Sequence, residues 1–546
     1  MNSACRIVAA GFAVALMALP VTLRAQDEKS AQKPAAAEKT PEAAADSTTD
    51  GSVDAGGQHI AYTAIAGTLT VGATDEQDGQ LGADGKPQPG SQLALSAPKD
   101  PADAPPVARM FYVAYFKKDA KAENRPITFF YNGGPGSSTV WLHMGSLGPK
   151  FVETDGDQHQ TAAPYKLLDN PDSLLDVSDL VFIDAPGTGF GRLIGKDAEK
   201  AFWGVDQDGG AFTRFIARFI TKYNRWNSPK FVFGESYGTT RSAVISKMLE
   251  DDKSIDLNGV ILLSQIFNFS AFLDNADNNP GVDLPYILAL PTYAATAWYH
   301  KKLSPQPAAL EPFLKDVEEY SMGPYSRALA QGTDLTGAEK QAVAQKLHDY
   351  TGLTVAYLLK ANLRVTGGEF EKNFADDADL TTGRYDTRFT GPTVDPLSKE
   401  ADYDPQSAAI SSAYVSLMND YVRRGLKYGD GQTYLPEVQV WGGGGRWNFQ
   451  HHGAPLGLNV SSDLADAMKT NPRLKVMLNG GYYDLATPFF GAEYEEKHLP
   501  IPESLAKNIE YDWYESGHMV YVRDSCRKQL HDRVAAFIKS ASGGGQ

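Results

Sequence analysis

The pentapeptide Gly234-Glu235-Ser236-Tyr237-Gly238 constrains this chain more than any other short stretch. The apolar run Lys230-Phe231-Val232-Phe233 leads into it, and Thr239 to Glu250 reads as a helix after it. A G-x-S-x-G turn between strand and helix is too tight for side chains at its flanking positions, so both are glycine. It lifts the serine hydroxyl above the sheet edge and aims backbone N–H groups at the helix start. Ser236 is therefore the candidate nucleophile, against the plainer reading of a strand–helix turn.

The elements around that turn give the fold class. Continuous apolar runs at Ile127–Tyr131, Leu180–Ile183, Phe231–Phe233, Val260–Leu263 and Val476–Leu478 suit strands buried on both faces, and Ile509–Tyr514 reads as one more. Their alternation with helices implies an α/β protein with a mostly parallel, doubly covered central sheet. His59–Val71 and Val107–Phe116 read as an antiparallel pair before it, joined by a Gly/Pro/Asp-rich loop over 75–106. Pro285–Leu303, Ala309–Ala330, Ala338–Tyr350, Leu353–Leu363 and Pro405–Leu426 read as helices. They fall between the serine strand and the last two strands, where an insertion is most simply a cap over the active-site end. The expected organisation is core over 58–267, helical cap over 268–445 and core again over 446–546.

The N-terminus reads as an export signal over 1–25. Arg6 supplies a thin basic region, Ile7 to Leu23 is almost wholly apolar, and Ala25 suits a cleavage site. The stretch is short for a membrane span and contains Pro20. Residues 26–57, rich in Ala, Lys, Glu, Asp, Pro and Ser, read as a disordered linker. A periplasmic or secreted protein with no membrane segment in its mature form is expected. Of two cysteines, Cys5 lies in the signal and Cys526 in an amphipathic helix, which leaves no intramolecular disulfide. The formal charge of −16, with no Lys/Arg run, argues against nucleic acid and anionic membrane as partners.

A serine nucleophile needs a base and an orienting acid, which follow it in the chain in that fold class. His498, His518 and His531 lie far enough on. His498 sits among charged residues of a helix and His531 within the final amphipathic helix. His518 follows the strand Ile509–Tyr514 in the loop Glu515-Ser516-Gly517-His518-Met519, where a general base belongs. Asp484 closes Asn479-Gly480-Gly481-Tyr482-Tyr483-Asp484 after the preceding strand, and is the acid that orients His518. An oxyanion hole would take the N–H of Tyr237 and a second donor from Asn132-Gly133-Gly134-Pro135-Gly136, after the strand Ile127–Tyr131. That loop lacks the Lys-Ser/Thr ending of a phosphate-binding loop.

Several blocks together resemble the serine carboxypeptidase family, of the carboxypeptidase Y and wheat enzyme type. They are Tyr131-Asn132-Gly133-Gly134-Pro135-Gly136-Ser137-Ser138, Leu147-Gly148-Pro149, Asn170-Pro171-Asp172-Ser173, Leu180 to Phe190 with Asp184-Ala185-Pro186-Gly187-Thr188-Gly189, the serine pentapeptide, Asn479-Gly480 with Asp484, and Gly517-His518-Met519-Val520. The resemblance covers about residues 107–540 and looks most like bacterial members. It implies an α/β-hydrolase fold, no cofactor, and hydrolysis of C-terminal peptide bonds of peptide substrates. It casts Ser236, His518 and Asp484 as the triad, the N–H groups of Gly134 and Tyr237 as the oxyanion hole, and Asn132 and Glu235 as partners of the substrate's terminal carboxylate. Glu235 must be protonated for that role, and burial raises a carboxyl pKa. Three positions depart from the family pattern: Phe130 stands for a tryptophan, Ser137 for a cysteine, and Ser146 for the glutamate that partners the one beside the nucleophile. The last departure keeps an esterase, acyltransferase or aminopeptidase on the same triad in view, and a non-enzymatic binding protein as the remote case.

His451-His452, with Trp447 and Phe449 near, reads as a loop rather than a metal site, because adjacent histidines do not easily face one ion and no third ligand is evident. Tyr286, Tyr293, Trp298 and Tyr299 read as cap core.

Overall fold

A computed structural model of the chain describes residues 44–95, 102–440, 446–452 and 457–543. The export signal over 1–25 and most of the linker over 26–57 lie outside the described residues.

Strands β1 (Ser47–Ala55), β2 (Gln58–Gly72), β3 (Val107–Lys117), β4 (Ile127–Tyr131), β5 (Asp179–Ile183), β6 (Lys230–Glu235), β7 (Gly259–Leu263), β8 (Lys475–Gly481) and β9 (Ile509–Tyr514) form one sheet. Their spatial order is β1-β2-β3-β5-β4-β6-β7-β8-β9, with a short strand, Arg192–Ile194, also on β3. The run from β1 to β5 pairs antiparallel. From β5 through β4, β6, β7 and β8 to β9 every pairing is parallel. Parallel neighbours need crossovers, and helices provide them on both faces. This is the architecture of an α/β-hydrolase fold, as the resemblance implied.

Burial on both faces explains why the strands read as unbroken apolar runs. Alternate residues of one strand enter different cores. Phe129 and Tyr131 pack with α2 (Val205–Lys222), α3 (Tyr237–Lys253) and α8 (Ser461–Thr470). Phe130 points the other way, toward α1 (Val140–Gly145), α7 (Pro405–Asp420) and α10 (Asp524–Ala541). There its ring stacks between Phe182 and Phe233, its register partners on β5 and β6, with centroids 4.8 and 5.0 Å away.

Between β7 and β8 the chain leaves the sheet for a set of helices, among them α4 (Leu284–Tyr299), α5 (Leu310–Tyr320) and α6 (Gly337–Thr351), before α7. These helices have their own core, which includes Tyr286 and Tyr293, with Trp298 and Tyr299 packed against it. Tyr483 and Leu485, just past β8, belong to that same core, so the inserted helices are packed onto the acid loop. The helix α9 (Phe489–Lys497) follows that loop. Among the described residues no helix is long and apolar enough to cross a membrane.

One expectation is corrected. Residues 47–55, read as disordered linker, form β1 and pair along their whole length with β2. Only Val53 and Ala55 are buried, so the segment lacks the apolar alternation that marks a strand by sequence. Its partner's backbone supplies the order instead.

Candidate active site

The turn after β6 is strained as its sequence requires. Ser236 sits at φ 61° and ψ −131°, a region that a non-glycine residue occupies only when its surroundings enforce it. A Cβ on Gly234 would lie 2.2 Å from the carbonyl oxygen of Gly238. The next loop is equally close, since a Cβ on Gly133 would meet the Tyr237 nitrogen at 2.4 Å. Two buried contacts hold α3 in place, one against β4's end and one against α2. Arg241, wholly buried, donates from Nη1 to the Asn132 carbonyl at 2.7 Å and pairs through Nε with Asp208 at 2.6 Å. Nothing in the sequence singles out that pair, because its meaning comes from the packing of α2 on α3.

Asp484 and His518 follow β8 and β9, which are adjacent in the sheet. His518 Nδ1 lies 2.8 Å from Asp484 Oδ2, and both side chains are buried. The Thr487 hydroxyl donates to the same oxygen at 2.7 Å, and its N–H donates to Asp484 Oδ1 at 3.0 Å. The carboxylate is thereby fixed in orientation. Burial pushes the His518 pKa down, and the facing Asp484 charge outweighs it, so the net shift is upward. His498 and His531 are elsewhere. His498 bonds the Tyr494 carbonyl of its own helix, and His531 faces Asp176 and Asp532.

The segment 384–388 of the insertion, which no motif in the sequence marks, holds both loops. The His518 N–H donates to the Tyr385 carbonyl at 2.6 Å, and the Gly517 N–H donates to Asp386 Oδ2 at 3.1 Å. Arg388 pairs with Asp386 and also reaches the Ser516 hydroxyl. On the acid side, the N–H groups of Leu485 and Ala486 both donate to the Arg384 carbonyl. These are mostly backbone bonds, so no side-chain motif announces them. From β7, the Ser264 hydroxyl donates to the His518 carbonyl at 2.7 Å.

Two cavities flank Ser236. Gly134, Ser236 and Tyr385 line both. The first, about 310 Å³, is also lined by Asn132, Glu235, Trp141, Glu437 and His518. The second, about 260 Å³, adds Tyr237, Phe269, Phe272, Asp274 and Arg384. In the first, Asn132 donates from Nδ2 to Glu235 Oε1 at 2.7 Å, while its own Oδ1 accepts the Leu142 N–H. Glu235 is buried, and burial lifts its pKa to about 7 against the opposing pull of His518. Its Oε2 makes no well-formed hydrogen bond, although the Tyr521 hydroxyl stands close by. Ser146, also buried, donates to the Leu142 carbonyl and gives Glu235 no carboxyl partner.

The sequence profile described as serine carboxypeptidase matches residues 102–522. Serine carboxypeptidase S10 family member 1 of Dictyostelium discoideum is 28% identical over 141 residues, which is 24% of this chain and 29% of that protein. Pheromone-processing carboxypeptidase kex1 of Schizosaccharomyces japonicus is 26% identical over 155 residues, 28% of this chain and 27% of that one. The match thus spans under a third of those curated relatives' length. Among solved structures, the peroxisomal alpha-beta-hydrolase Lpx1 of Saccharomyces cerevisiae aligns over 87% of this chain and 89% of its own, with TM-score 0.32 and 10% identity. The family profile takes in the glycine loop, the serine turn, Asp484 and His518 together, and on that breadth the chain belongs to the serine carboxypeptidase family.

Proposed function

We propose that this protein is an exported serine carboxypeptidase, cleaving the last peptide bond of peptide substrates through Ser236, His518 and Asp484. The observation that carries the reading is one cavity in which the serine turn, the Asp484-paired His518 and a buried Asn132–Glu235 pair meet.

The steps follow from the residues. With Nδ1–H held by Asp484, the neutral His518 ring keeps Nε2 free to take the Ser236 proton as Oγ attacks the scissile carbonyl. The N–H groups of Tyr237 and Gly134 stabilise the oxyanion. His518 then protonates the leaving amine, and a water attacks the acyl-enzyme by the reverse sequence. The leaving residue occupies the cavity of Asn132 and Glu235, and the acyl side the cavity of Phe269 and Phe272. Below pH about 7 Glu235 is protonated. Because its Oε1 accepts from Asn132, its proton belongs on Oε2, which can donate to the substrate's terminal carboxylate. The inserted helices over 268–445 act as the cap of this site, and the segment 1–25 directs export and is removed by cleavage near Ala25.

Ser146 supports a second reading on the same triad, an esterase, acyltransferase or aminopeptidase, since the usual second carboxyl group is missing. The deciding experiment is release of the terminal amino acid from N-blocked dipeptides, with free and with amidated C-termini, from pH 4 to pH 8. Release from the free acid alone supports the carboxypeptidase. Release from both, or from neither while simple esters are cleaved, gives the second reading. N-terminal sequencing of the exported protein tests the cleavage site.

A further inference from the structure

Outside the catalytic cavities, ligating side chains converge where the inserted segment returns to the core. His451 Nε2 lies 2.7 Å from Asp463 Oδ2, and His452 Nε2 lies 2.9 Å from Asp463 Oδ1. One ligand atom from each of the three falls within 4.8 Å of the others. Adjacent histidines face one ion only where the backbone turns consecutive side chains to the same side. His452 is at φ 49°, in the left-handed region, and this turns the two rings to one side with centroids 3.8 Å apart. Asp463 is the third ligand whose position the sequence did not show. It comes from the first turn of α8.

We propose that His451 Nε2, His452 Nε2 and a carboxylate oxygen of Asp463 bind one divalent transition-metal ion of the zinc type. Three features beyond proximity support this. Asp206, in the first turn of α2, accepts from His451 Nδ1 at 2.6 Å. With an ion bound, that bond would hold the proton on Nδ1 and turn the Nε2 lone pair to the metal, the arrangement by which carboxylates orient metal-bound imidazoles. Asp463 is 2% exposed and His452 55%, so the site has a buried anionic floor and an open side for ion entry and a water ligand. Two carboxylates, two neutral imidazoles and a dication also sum to zero charge. Modest separation of the three groups accommodates an ion at the usual ~2.0–2.2 Å.

The ion would join three segments: the start of α2, the start of α8, and the return segment 446–452. That segment already exchanges backbone bonds with the start of α2, Val205 N–H to the Asn448 carbonyl and Asn448 N–H to the Trp203 carbonyl. It also sets the Trp447 ring edge-on to Tyr237, with centroids 5.4 Å apart. The site is thus a fastener for the segment behind the residue after the nucleophile, with no part in the chemistry.

A metal-free alternative satisfies the same contacts: an imidazolium at His451 bridging Asp206 and Asp463, with exposed His452 dispensable. Full-length protein stripped with EDTA, then titrated with ZnCl2 by calorimetry and thermal melting, separates the two. The expected result is one Zn2+ per chain and a raised melting temperature. His452→Ala, an exposed position that leaves the Asp206–His451–Asp463 contacts intact, should abolish the thermal shift. Asp206→Asn should keep the stoichiometry and weaken binding by ~10–100-fold. No binding by the stripped protein, or equal binding and equal thermal shift in His452→Ala, overturns the proposal.

Discussion

Glu235 and His518 share one small cavity, and their charges are coupled. The Glu235 carboxylate supports a protonated His518, and His518 holds the Glu235 pKa down. On the proposed mechanism His518 must be neutral to act as base, so activity should rise with pH through its pKa. Glu235 must be protonated to donate to a terminal carboxylate, so kcat/KM on free-acid peptides falls as pH rises through about 7. Glu235→Gln removes the second dependence and one support for the imidazolium. Its pH profile should therefore lose the limb near 7 and shift its acid limb to lower pH, as initial rates on an N-blocked dipeptide would read. Ser236→Ala should lower kcat by about 10⁶-fold with the fold intact by circular dichroism, because the triad fails as a unit.

At the scale of elements, β4 and the segment 384–388 are the sensitive pieces. Phe130 is sandwiched between two stacked rings in a close-packed layer, and Phe130→Ala should cost about 3–5 kcal/mol in urea unfolding. Asp386 is buried, paired with Arg388 and bonded to the Gly517 N–H. Asp386→Ala strands a buried guanidinium and should cost about 3–5 kcal/mol. It also frees the histidine loop, so kcat should fall by about 10²-fold with little change in KM. Both effects are measurable on one purified variant. The strands and the serine, acid and histidine loops were legible because doubly buried strands are continuous apolar runs and tight turns demand glycine. Segment 384–388 was not, since it holds the two loops through backbone groups that any sequence carries and through an Asp386–Arg388 pair whose targets lie far along the chain. The Arg241–Asp208 pair and Asp463 were missed for a related reason: each matters through a neighbour distant in sequence.

For the whole molecule, the sheet's one-sided growth matters. The antiparallel run ends in β1, whose removal would expose the long β2 and uncover the residues beneath Val53. A chain starting after residue 57 should lose about 2 kcal/mol of stability. It should also self-associate more, because an unpaired flat edge is a template for another chain. Thermal melting and gel filtration would show both. That strand was unreadable because its composition is that of a linker, and only its pairing gives it structure.

The order in which the site's pieces occur along the chain sets when it can exist. Ser236 is synthesised about 280 residues before His518, and the bracket at 384–388 lies between them. At ordinary synthesis rates the interval is on the order of tens of seconds. During it the serine turn has neither Asp484, His518 nor the segment that holds their loops. On the proposed triad, the nascent protein and the machinery handling it are safe from Ser236 until the last strand and its loop have been added. On that reading, the order of assembly along the chain is itself a source of latency.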